Sequence, residues 1–133
     1  MSNQVKNSPM PPIEIVKGIL KCKIEDCERK INQSIEKQNE SFTHAFEWGS
    51  FSDRYWNEGY KANLQSVLAR TDNENFLQFL THYRMQINRY VMSYDPTSIS
   101  TSPSRNIADS LKHTVYVAIV ELCDVLIESL QTA

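Results

Sequence analysis

From Ile13 to Phe46 the side chains recur in steps of three, four and four, through Ile13, Val16, Leu20, Ile24, Cys27, Ile31, Ile35, Gln38, Phe42 and Phe46, with Gln38 the one polar member. A repeat of this period advances about 3.67 residues per turn, close to the natural turn of an α-helix, so it specifies a long, nearly straight helix with a continuous apolar seam. Such a seam has to be covered. It predicts an all-helical packing module and carries no chemistry of its own.

The 133 residues suit one domain, and a chain of that size buries enough of its surface to need neither disulfides nor metals. Fourteen Lys and Arg stand against sixteen Asp and Glu, so no overall field recommends nucleic acid or an anionic membrane as the main partner. The charge is uneven: residues 95–133 carry two basic against five acidic side chains. Three cysteines, Cys22, Cys27 and Cys123, cannot all pair within one chain, and no apolar leader follows the polar first residues, so the expected location is the cytoplasm. Cys27 sits on the seam and Cys123 in an apolar stretch, where a thiol acts as a small hydrophobe. The gap between Cys22 and Cys27 matches no common zinc spacing. No apolar run is long enough for a membrane span. Neither cofactor nor metal is expected.

Residues 1–11 read as a loose N-terminal arm and 12–133 as a single helical domain, with helices expected at 12–48, 53–69, 73–94 and 103–131. Pro11 and Pro12 suit a helix start, and Gly49 and Ser50 read as the stop of the first helix. Glu25 with Arg29 and Asp26 with Lys30 are spaced for i, i+4 pairs on its outer face. Ser52 reads as the cap of the second helix, whose middle Gly59 weakens by roughly 1 kcal/mol relative to alanine. Thr71 or Asp72 followed by Glu74 resembles a capping box opening the third helix. Asp95-Pro96 ends it, and 95–102 has the composition of a mobile loop. Ser102 and Pro103 open the fourth helix. Its Thr114–Val120 stretch is rich in β-branched residues, but the 3.6 period across the whole segment favours a helix. The fold expected is an antiparallel four-helix bundle with long first and last helices.

A helix over residues 13–46 would be about 51 Å long, against a diameter of roughly 36 Å for a compact chain of this size. Either the bundle is elongated, with the first and last helices as full-length staves, or a second copy covers part of the seam as a homodimer.

Seven of the 13 aromatic residues fall between Phe42 and Tyr60. They suit the closed end of a bundle, and equally an anchor surface, because Trp and Tyr dominate protein interfaces. The expected partner-binding residues are Trp48, Phe51, Tyr55, Trp56 and Tyr60, docking against a helix of another protein or of a second copy.

His44, His82 and His113 fall on three helices, but His44 and His113 each lie about 200° round from a seam residue, which points them outward. No Glu-x-x-His pair marks a di-iron bundle. With three glycines there is no phosphate loop, and no nucleophile has a base placed beside it. A rival reading uses His82, Arg84 and Arg89, interleaved with Tyr83 and Tyr90, as nucleic-acid contacts. Arg105-Asn106 with His113 resembles the Arg-x(4–6)-His signature of the small helical HEPN ribonucleases. Seven residues intervene here rather than four to six, and the likeness spans about ten residues. That resemblance implies an RNA-cleaving role for Arg105 and His113. The main expectation is a non-enzymatic adaptor, assembly factor or small subunit of a complex.

Overall fold

The computed structural model describes residues 10–40, 48–95, 97 and 103–131, with the side chains of all but 38–40, 48–50, 103 and 104. Most of the expected arm, Phe42, His44, Phe46, the Trp48 side chain and most of the 95–102 loop lie outside it. Within it the chain forms α1 (Pro12–Glu40), α2 (Trp48–Leu68), α3 (Phe76–Ser93) and α4 (Pro103–Gln131). The first and last helices are 29 residues each, about 43 Å at 1.5 Å per residue.

Local chemistry explains where these helices begin and end. Pro12 opens α1 at a position whose N–H would go unused, and the Pro11 carbonyl accepts hydrogen bonds from the Glu14 and Ile15 amides at 2.9 and 3.2 Å. Along the outer face of α1, Asp26 takes both Arg29 and Lys30, so Arg29 turns to Asp26 rather than to Glu25. The second helix starts at Trp48 rather than at 53. Gly49 and Ser50, read as a stop, form its first turn, where amides have no intrahelical acceptor and a weak helix former is tolerated. The third helix starts at Phe76, later than expected, and its cap residue Asn75 makes no side-chain cap bond. The capping box does not form. The Thr71 hydroxyl instead donates back to the Leu68 carbonyl at 2.8 Å, satisfying an end of α2, and Asp72 is drawn to Lys17 at 2.6 Å. After α3, Asp95 Oδ1 accepts from the Thr97 amide at 2.9 Å and its hydroxyl at 2.6 Å. The β-branched stretch 114–120 is helical.

The helices run alternately up and down. Lys61 reaches Glu28 at 3.4 Å and Lys17 reaches Asp72, which sets α1 antiparallel to α2. Arg84 with Asp124, and Tyr90 edge-on to Tyr116 at 4.7 Å, set α3 antiparallel to α4. The two hairpins meet along α2 and α4, which are parallel: Trp56 Nε1 donates to Thr114 Oγ1 at 3.0 Å, and Gly59 faces Val115. The first helix also touches α4.

The expected seam is the core of the bundle. Val16, Leu20, Ile24 and Cys27 of α1 are buried with Leu64 and Val67 of α2, Phe76 and Leu80 of α3, and Val115, Ile119, Leu122, Cys123 and Leu126 of α4. Beyond Cys27 the seam loosens: Ile31 and Ile35 are half-buried, and the buried position passes to Ser34. Leu20 and Leu126 are fully buried. Replacing either by alanine is expected to lower unfolding free energy by about 2–5 kcal/mol, whereas Leu77→Ala, at an exposed site, should stay within about 1 kcal/mol; urea titrations at fixed m-value compare them.

Candidate interaction surface

The four described rings of the aromatic cluster differ in their surroundings. Trp56 and Tyr60 turn toward the core, their rings 4.9 Å apart, and the indole N–H is taken by Thr114. Burial between helices, with the Cys27 and Cys123 thiols nearby, pushes the Tyr60 phenol up to about 12. Phe51 is half-buried, with its ring centroid 6.1 Å from that of Tyr55, and Tyr55 is exposed. Trp48 contributes its backbone to the first turn of α2.

Tyr55 borders a groove of about 380 Å³ between α2 and α4. One wall is the row Tyr55, Glu58, Gly59 and Ala62, which share a face at helical spacing; the other is Lys112, Val115 and Tyr116. Gly59 lets the two walls approach closely: a Cβ placed there would meet the Val115 methyls at 3.7 and 3.8 Å, ordinary van der Waals contact. Asn63 braces the floor: its amide donates to the Gly59 carbonyl at 2.8 Å, and its Oδ1 accepts from the Tyr83 hydroxyl at 2.6 Å. The charges at the rim are unequal in circumstance. Glu58 is matched by Arg54 at 2.9 Å. The Lys112 ammonium lies 5.1 Å from the Tyr90 ring centre and 5.7 Å from that of Tyr116, held by ring faces, and pairs with no carboxylate among the described residues.

The chain matches no family model, no curated protein and no solved structure.

The residues of the rival reading are scattered. Arg84 holds Asp124 with Nε at 2.7 Å and Nη2 at 3.4 Å, a forked pairing that occupies the guanidinium. Arg89 is exposed on α3, and His82 is exposed near Gln131 at the far end of α4. His113, expected to point outward, is half-buried and stacks on Tyr94 with centroids 4.3 Å apart. Arg105 and His113 share α4 but stand about 12 Å apart along its axis. No described helix is long and apolar enough to cross a membrane, and no group of three metal-ligating side chains gathers among the described residues.

Gly59, Ala62, Lys112 and Tyr116 were not among the sequence candidates. Tyr55, Gly59 and Ala62 on one helical face is a legible mark of a recess beside an aromatic, but the placement of Lys112 over two rings depends on α3 packing against α4.

Two half-buried phenols and one buried thiol share one electrostatic behaviour. Burial pushes the Tyr83 phenol and the Cys123 thiol, like Tyr60, up to about 12, from ordinary values of 10.0 and 9.0. A folded-state value above the unfolded one gives stability that is complete below the unfolded value and lost as pH rises toward the folded value. The urea midpoint is therefore expected to fall between pH 9 and 12, and Tyr60→Phe should flatten that fall; a midpoint level across this range would contradict the burial.

Proposed function

We propose that the protein is a non-enzymatic adaptor or assembly subunit working in the cytoplasm, and that it grips an apolar and acidic segment of a partner protein in the α2–α4 groove. The observation that carries this reading is a recess between exposed Tyr55 and Lys112 that no described side chain fills. An apolar partner side chain suits the space over Gly59, with aromatic walls of the kind that anchor interfaces. A partner carboxylate suits Lys112, which has ring faces but no anion among the described residues. The cytoplasmic part rests on three free cysteines, two of them buried as thiols, in keeping with a reducing compartment.

The seam that suggested a homodimer is covered over Val16–Cys27 within the chain, so the occupant favoured here is a different protein.

Tagged full-length protein and a Tyr55→Ala/Lys112→Glu variant, expressed side by side in the source cell, test the reading by quantitative affinity purification and light scattering. The variant should keep its thermal midpoint and lose at least nine-tenths of the partner that the wild type retains. Equal recovery by both would reject the groove. A wild-type dimer that becomes a monomer in the variant would assign the groove to a second copy instead.

A further inference from the structure

The apolar contact between α1 and α2 turns polar toward the end nearest residues 40 and 48. On α1 the row Lys30, Gln33, Ser34 and Lys37 faces Asp53, Trp56 and Asn57 of α2 across a cavity of about 380 Å³, within the range of small-molecule sites. Two of its polar side chains are more than nine-tenths buried, Ser34 at 5% and Asn57 at 7% exposed. The Ser34 hydroxyl has no hydrogen-bond partner among the described residues. Asn57 donates its amide to the Asp53 carbonyl at 2.7 Å, and its Oδ1 accepts from no described group. Buried polar atoms are nearly always paired, because an unpaired one forfeits the bonds it makes in water. Two of them lining one cavity mark it as prepared for an occupant.

The charges say which occupant. Lys30 and Lys37 lie two helical turns apart on the same face, with Ser34 between them, one turn from each. Lys37 has no carboxylate partner among the described residues, and Lys30 shares an exposed contact with Asp26 at 3.1 Å, weak enough to be re-aimed. Two ammoniums flanking a hydroxyl suit a dianion with several acceptor oxygens. On the opposite wall the Asn57 Oδ1 and the Asp53 carboxylate accept hydrogens, beside the apolar surface of Trp56. We propose that this cavity binds a small phosphorylated molecule, its phosphoryl group held between Lys30 and Lys37 at the Ser34 hydroxyl and its own hydroxyl hydrogens given to Asn57 and Asp53. The proposal is independent of the α2–α4 groove.

Full-length protein carrying Trp48→Phe, so that emission comes from Trp56 alone, is titrated with glycerol 3-phosphate, inorganic phosphate and glycerol. Glycerol 3-phosphate should give a saturable change in Trp56 emission and raise the thermal midpoint. Inorganic phosphate should bind at least tenfold more weakly, and glycerol should not bind. Lys37→Glu and Ser34→Ala should each weaken glycerol 3-phosphate at least tenfold, while Lys21→Glu, on the same helix outside the cavity, should leave it unchanged. Without ligand, Ser34→Ala should melt at or above the parent, because it removes an unpaired hydroxyl. The proposal is overturned by the absence of a saturable response, by equal binding of inorganic phosphate, or by an equal loss in Lys21→Glu. It is also overturned if Ser34→Ala melts lower with unchanged binding, since the hydroxyl then serves an enclosed water.

Discussion

The fourth helix is the beam on which the bundle hangs. It touches each of the other three, and its row Val115, Ile119, Leu122 and Leu126 is buried along about three turns. Removing that much apolar surface from water dominates the stability of a chain whose three cysteines are all free. Because α3 and α2 lie on different sides of this row, the position of Lys112 relative to Tyr90, Tyr116 and Gly59 follows from α4's packing.

The seam of the first helix meets that beam at one end and abandons it at the other. Val16 to Cys27 are apolar and buried; at Ser34 the buried place is held by a hydroxyl, and Asn57 mirrors it on α2. A bundle built for stability alone would continue with leucine or alanine there. The polar pair opens a space between two helices that otherwise interlock, close to where the indole of Trp56 ties α2 to α4.

Much of this architecture is legible in the residues. The three-four-four period locates α1 and its buried face, and Pro103 with the apolar spacing of 107–130 locates α4 within the bounds observed. Boundaries were less legible where local preference and tertiary demand conflict. Gly49 and Ser50 look like a terminator, yet a first turn makes few demands on them; Thr71 and Asp72 look like a cap, yet the Leu68 carbonyl and Lys17 compete for them. The aromatic cluster was visible as a set, but that Trp56 and Tyr60 pack on the core while Tyr55 stays exposed depends on which helix each ring meets. The groove and the polar cavity depend on facing rows from two helices, and no single-helix pattern determines how such rows align.

The order of the helices has a kinetic consequence. The α1–α2 and α3–α4 contacts are between neighbours in the chain, joined by short connections, so each hairpin closes at small entropic expense and the bundle has the low contact order of rapidly folding helical domains. The meeting of the hairpins, with α2 and α1 both against α4, supplies the long-range contacts. It brings together residues such as Trp56 and Thr114, 58 apart in sequence. The groove at Gly59 is thus absent from either hairpin alone and exists only where the two are packed together.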